Sequence, residues 1–371
     1  MNWPMISLPE ICRPKQWPTV PKSQMLESGF PVYGANGKIG YFSTYNHEYP
    51  TILITCRGAT CGTINVCEPK SYVTGNAMAL DELDSSRVDL RFLSRVLESA
   101  DFGKVITGVA QPQITRQTLS RLQFPLPPLA EQKRIAAILD AADDLRAKRR
   151  DALAQLDSFL QSTFIDMFGD PITNPMEWDM GVIGDLLASA NYGTSKKASQ
   201  DEGQYPVLRM NNITYTGEWD FRSIKFIDLD EKELLKHLVH NGQILFNRTN
   251  SKEMVGKTAV YRRKEPMAFA GYLVRGVVND SADPEYIGAF MNTPQMKLYL
   301  QSKCKSIVGM ANINAKEFQA IPIPKPPVKL QRSFASIVES VEQQKSRMRA
   351  HLAELDALFA SLQHRAFNGE L

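Results

Sequence analysis

The chain ends each of its halves with the same segment. Residues 124–168 (FPLPPLAEQKRIAAILD…) and 323–367 (IPKPPVKLQRSFASIVE…) align without a gap at a constant offset, Gln132 falling on Gln331. Pro127-Pro128 falls on Pro326-Pro327, Leu156-Asp157 on Leu355-Asp356, and Phe168 on Phe367. The proline-rich entry of each copy cannot be helical inside, because proline removes a donor and biases its predecessor to extended geometry. A helix therefore begins once the prolines end. Apolar residues then recur at three- and four-residue steps, as in a heptad seam. The seam runs through Ile135, Ile138, Leu145, Leu156 and Phe159 in the first copy. In the second it runs through Phe334, Ile337, Val341, Leu355 and Leu358. Arg149 and Gln344 interrupt it, and polar residues at such positions set register or partner. Each helix covers about 38 residues, or roughly 57 Å. A helix this long with a half-apolar surface needs a cover, and the economical cover is the other copy. If the halves are related by a pseudo-two-fold axis, the helices run antiparallel as a coiled coil.

The residues before each helix repeat as well. Gly108-Val109-Ala110-Gln111-Pro112-Gln113-Ile114 matches Gly309-Met310-Ala311-Asn312-Ile313, with two residues fewer in the second copy. Phe30-Pro31-Val32 resembles Tyr205-Pro206-Val207, and Arg57-Gly58 resembles Arg248-Thr249. Short β-rich runs alternate with turns in both halves and give way to a helical stretch. The fold expected is α+β: two similar α+β domains at residues 1–123 and 171–321. Proline-rich linkers with their spacer helices follow at 124–170 and 322–371.

Composition bounds the function more than it names it. Net charge is +3 and spread evenly, at +2, −2, +1 and +2 for those four segments in chain order. Bulk charge therefore does not announce nucleic-acid binding. No apolar run approaches the ~20 residues of a membrane span, and the N-terminus lacks the layout of a secretory signal. Five cysteines without framework spacing fit a reducing cytoplasm. Cys56, Cys61 and Cys67, with His47 nearby, do not have the spacing of a zinc site. Ser251 stands where a phosphate loop ending in Gly256-Lys257-Thr258 needs glycine, so Lys257 reads as part of a hairpin edge, facing solvent or phosphate. No catalytic constellation stands out, and no catalytic residue or metal is expected in this chain.

With PLPPLAEQ at 125–132, the duplicated helix, FPVYGANGKIGY at 30–41 and YPVLRMNNI at 205–213, the chain resembles the specificity subunit of type I restriction–modification systems. The likeness spans nearly the whole chain. It departs in the second linker, which reads Lys325-Pro-Pro-Val-Lys-Leu-Gln331. The resemblance implies two target-recognition domains, each reading half of a bipartite double-stranded DNA site, and no catalytic site. It implies docking of two adenine N6-methyltransferase subunits using S-adenosylmethionine, and of ATP- and Mg-dependent translocase–nuclease restriction subunits. A stand-alone DNA-binding regulator or an interaction scaffold is the rival reading. The methyltransferase loop Asn-Pro-Pro-aromatic is reduced here to Asn174-Pro175-Met176-Glu177.

DNA recognition needs cations for phosphates and Arg, Asn or Gln for base edges. The candidates in the first domain are Asn36, Lys38, Arg57, Asn76, Gln111 and Gln113. In the second they are Ser195, Lys196, Lys197, Arg209, Asn211, Asn212, Arg248, Asn250, Lys252 and Lys257. The stretch from Arg248 to Lys257 is the densest. Trp178 and Trp219 read as packing residues.

Overall fold

The computed structural model describes residues 3–108, 111–307 and 310–371. Val109, Ala110 and Gly309 of the matched loop segments lie outside the described residues. The two long helices start directly after the proline pairs and span Leu129–Phe168 and Val328–Asn368. The chain forms two compact units. One comprises residues 1–150 with 350–371, the other residues 151–349, so each unit takes half of each long helix.

In the first unit a four-stranded antiparallel sheet has the order Arg13–Gln16, Ala77–Asp81, Ile52–Thr55, Ile64–Val66. A second sheet pairs Phe30–Gly34 antiparallel with Gly37–Phe42 and parallel with Tyr72–Val73. The second unit repeats both. Leu187–Tyr192, Leu273–Val278, Ile244–Asn247 and Thr258–Val260 take the first order. Tyr205–Leu208 pairs antiparallel with Lys225–Ile227 and parallel with Met267–Phe269. Each proline-rich linker also pairs with the start of its domain: Gln123–Pro125 with Met5–Ser7, and Pro322–Pro324 with Met180–Val182. The fold is α+β, two similar domains on an antiparallel helix pair.

The buried glutamines of the repeat join each helix to its domain. Gln132 and Gln331 are fully buried. Gln132 Oε1 accepts from the Asp89 N–H at 2.8 Å, and its Nε2 donates to the carbonyls of Arg87 and Pro127. Gln331 does the same with Asp283 N–H at 2.9 Å and the carbonyls of Ser281 and Pro326. Asp89 and Asp283 are themselves the N-caps of the equivalent helices Leu90–Ser99 and Pro284–Asn292, where a side-chain oxygen satisfies otherwise orphaned N–H groups.

Antiparallel pairing of the long helices is visible in each unit. In the first, Arg134 Nη2 donates to the Leu371 carbonyl and Arg146 Nε to Asp356 Oδ1 at 2.6 Å. In the second, Lys345 Nζ donates to Asp157 Oδ1 at 2.5 Å, and the Phe164 and Phe334 rings meet at 5.7 Å. Ile135, Phe334 and Val341 are buried, while Ile138, Leu156, Ile337 and Leu355 are half-buried. Leu145, Phe159 and Leu358 are not seam residues, being 54%, 49% and 51% exposed. Phe359 is buried instead, its ring under the Arg146 guanidinium, and in the second unit Phe164 and Phe168 are buried against each other. Residues off the heptad count are buried because they pack on the domain cores, Phe359 on the first and Phe164 on the second. In the middle of the second helix the buried polar residue is likewise Lys345 and not Gln344, which is exposed. Arg149 hydrogen-bonds to His351.

Candidate nucleic-acid interface

In the first unit the sheet ends bring the candidate loops together by backbone bonds. Cys56 N–H donates to the Asn76 carbonyl, Gly58 N–H to that of Pro112, and Ile114 N–H to that of Cys56. Arg57 forms a bridge with Gln113, and Thr60 Oγ1 donates to Asn36 Oδ1 at 2.8 Å. Asn36, Lys38, Arg57, Asn76, Gln111 and Gln113 are all exposed. Residues from four separate loops thus share one polar surface, with Lys38 3.7 Å from Glu68 and above the Tyr41 ring at the edge of its strand pair.

The second unit assembles its loops the same way. Arg248 N–H donates to the Tyr272 carbonyl and Ile313 N–H to that of Arg248. Thr249–Asn250 pairs with Met310–Asn312. The Arg248 guanidinium sits 4.9 Å from the Tyr192 ring centroid and gives its Nε to the Gly271 carbonyl. Two faces of that guanidinium are therefore fixed, which pre-organises what remains for a ligand. Ser195, Lys197, Asn211 and Lys252 are exposed, and Arg209 and Asn250 half-buried. Lys196 is exposed but ion-paired to Glu233 at 2.5 Å. Exposed Tyr192 opens the candidate loop Tyr192–Lys197, whereas exposed Tyr272 was not among the sequence candidates, because a lone tyrosine has no pattern to mark it.

Two candidates are displaced. Asn212 is fully buried and serves its own turn, accepting from Arg209 N–H at 2.9 Å and donating to the Asp220 carbonyl. Lys257 is 4% exposed and donates to the Met210 carbonyl at 2.6 Å. Burial pushes its pKa down. It immediately precedes the edge strand Thr258–Val260, so the hairpin-edge reading stands, but its side chain is turned inward to the 209–212 turn and not to solvent. The bridges also correct the repeat by one residue: Arg57 opposite Gln113 takes the place of Thr249 opposite Asn312.

Trp178 and Trp219 donate to the carbonyls of Phe168 and Val260, as packing residues do. The five cysteines are free. His47 is buried against Asp81 at 2.9 Å. Among the described residues no group of three or more His, Cys, Asp or Glu is placed to hold a metal, and no helix is long and apolar enough to cross a membrane.

Two equivalent domains, each presenting a polar surface gathered from several loops and each latched to a shared helix pair, define a duplicated recognition protein. The family model for the type I restriction modification DNA specificity domain matches residues 1–155 and 175–356, and the chain belongs to that family. It is 29% identical over 272 residues to the type I restriction enzyme EcoKI specificity subunit of Escherichia coli (strain K12), covering 67% of this chain and 58% of that protein. It is 23% identical over 335 residues to the StySPI specificity subunit of Salmonella potsdam, covering 85% and 68%. The chain thus spans little more than half the length of the first of these. Its fold is similar to that of the type I restriction-modification S subunit from M. genitalium, with a TM-score of 0.63 at 16% identity, covering 99% of this chain and 96% of that one. A structure described for complex assembly and conformational transition of the type I R-M system matches at a TM-score of 0.54 and 17% identity, over 100% and 98% of the two chains.

Proposed function

We propose that this chain is the DNA-specificity subunit of a type I restriction–modification complex, each domain reading one half of a bipartite site. The observation that carries this is the pair of equivalent surfaces. In each, an arginine and several amides from separate loops are held by backbone bonds at the same end of the same sheet. Such side chains make paired hydrogen bonds to base edges, worth about 1–3 kcal/mol of discrimination each. The neighbouring Lys197 and Lys252 suit phosphate contacts, which add salt-dependent affinity.

Catalysis is assigned to partners: two adenine N6-methyltransferase subunits using S-adenosylmethionine, and ATP- and Mg-dependent restriction subunits. The helix pair is read as their dock and as the element that sets half-site spacing. A heptad added to the helices lengthens them by about 10 Å, about three base pairs at ~3.4 Å per base pair.

The test is co-expression with a candidate modification subunit and genome-wide mapping of N6-methyladenine, with and without this chain. A bipartite methylated motif that depends on the chain supports the reading. A stable complex without such a motif favours a scaffold or a stand-alone regulator.

A further inference from the structure

In both domains one turn carbonyl is tied down from below, and the residue after it is an exposed asparagine. In the first domain the Ala35 carbonyl accepts from the hydroxyl of Thr55, which is 1% exposed. In the second the Met210 carbonyl accepts from Lys257 Nζ at 2.6 Å and from Asn247 Nδ2 at 3.4 Å. The two positions are equivalent by backbone pairing. The Thr55 N–H donates to the Thr63 carbonyl and the Thr55 carbonyl accepts from the Gly62 N–H, as Asn247 does with Lys257 and Gly256. Thr74 N–H donates to the Tyr33 carbonyl as Ala270 N–H does to that of Leu208. The same join is therefore built twice with different chemistry, a hydroxyl in one domain and an amide with an ammonium in the other.

The second version is costly. Lys257 has no ion pair among the described residues, and a buried ammonium without a counter-charge loses its hydration uncompensated. Lys297, also 4% exposed, braces the loop from beneath, its Nζ donating to the Gly256 carbonyl at 3.2 Å and to Asn292 Oδ1 at 2.8 Å. A methionine in place of either lysine would fill similar space without that desolvation. The tie joins two loops that bear the candidate readers: the 209–212 turn with Asn211, and the 248–256 loop with Arg248 and Lys252. In the first domain it joins the turn bearing Asn36 to the strand that leads into Arg57.

We propose that Thr55 in the first domain, and Lys257 with Asn247 in the second, are positioning residues for sequence reading. Each fixes a turn carbonyl so that the next residue, Asn36 or Asn211, is held in register with the neighbouring arginine loop on the DNA-facing surface. The proposal rests on the reading of the chain as a DNA-specificity subunit.

The test uses the full chain assembled with its modification subunit, comparing wild type, Thr55→Val and Lys257→Met. Three quantities are measured: the methylated motif, half-site by half-site; the salt dependence of DNA affinity; and the melting temperature. Lys257→Met should relax the half-site read by the second domain, with discrimination there falling at least ten-fold, and leave the other half-site intact. Thr55→Val should do the reverse. Neither should change the slope of affinity with salt, because neither side chain touches a phosphate. A lost phosphate contact would lower that slope by about 0.9. Such a drop, or unaltered half-sites with only a lowered melting temperature, overturns the proposal. Should Lys257→Met fail to assemble, Thr55→Val, which conserves shape, decides alone. A wild-type complex with no bipartite motif would overturn the functional reading itself, a separate result.

Discussion

The two units solve one architectural problem with partly different chemistry. Their latches are identical: Gln132 and Gln331 make the same three hydrogen bonds to a helix cap and two carbonyls. The aromatic closures match in kind, Phe92 against Phe367 in one unit and Tyr286 against Phe168 in the other. The cross-helix ion pairs also match in position, Arg146 with Asp356 and Lys345 with Asp157. Their surroundings do not. Arg146 stacks on Phe359 and shares Asp143 with Arg95 of the helix Leu90–Ser99. Lys345 is 2% exposed and collects Glu342 and Glu218 as well, the latter from a turn of the domain body, with Arg349 adding a second cation on Glu218. Backbone-directed latches persist through divergence because a carbonyl or N–H is there whatever the side chain. Side-chain pairs follow the local loops.

Breaking the shared latch should have the largest effect. Gln132→Leu and Gln331→Leu each leave one buried carbonyl and a part-buried N–H and carbonyl without their partner, at up to about 1–3 kcal/mol per group. Urea unfolding of the two variants should show similar losses of several kcal/mol; a large asymmetry would mean that the latches are equivalent only in geometry.

The ion pairs should separate the units. Lys345→Met leaves three carboxylates around an empty position, and removing one partner of a buried pair costs roughly 3–5 kcal/mol. Because Asp157 and Glu218 reach solvent, the loss should fall at the lower end. Arg146→Met, at a more open site, should cost about 1 kcal/mol. Equal losses by the same urea measurement would show that burial of the cation does not govern the difference.

The pH response should belong to the second unit, since Thr63 stands where Lys257 stands. Burial and the neighbouring Lys257 push Lys297 down to about 7. Between pH 7 and its ordinary range near 10.5 the unfolded chain holds a proton that the native chain has lost, so stability rises with pH. Below about 7 both states are protonated and the penalty is complete. The slope is about 1.4 kcal/mol per pH unit inside that window. Thermal unfolding of Lys297→Met between pH 7 and 9 should lack this contribution; an unchanged slope would place the proton elsewhere.

The smallest effect on stability should come from the equivalent exposed positions Phe159 and Leu358. Serine at either should change stability within about 0.5 kcal/mol. If the outer helix faces carry the modification subunits, each change should weaken subunit binding measured by titration. Normal binding by both would move the dock away from these faces.

The repeat, the helix starts and the α+β domains were legible because helix hydrogen bonds are local and prolines mark where they cannot form. That the six first-domain candidates lie at the surface was legible too, since polar loop residues advertise exposure by type. Asn212, Lys257 and the flank of the seam were not. A lysine or asparagine looks like surface in a sequence, and its neighbours along the chain do not reveal that a strand or loop from elsewhere will cover it. Leu358 and Phe359 are equally apolar neighbours, and only packing against Arg146 and the first domain selects Phe359. Sequence alone determined the duplicated plan, a property of local pattern. Tertiary structure decided which polar groups face outward and which hold the loops from within, because burial is set by contacts between residues distant in the chain.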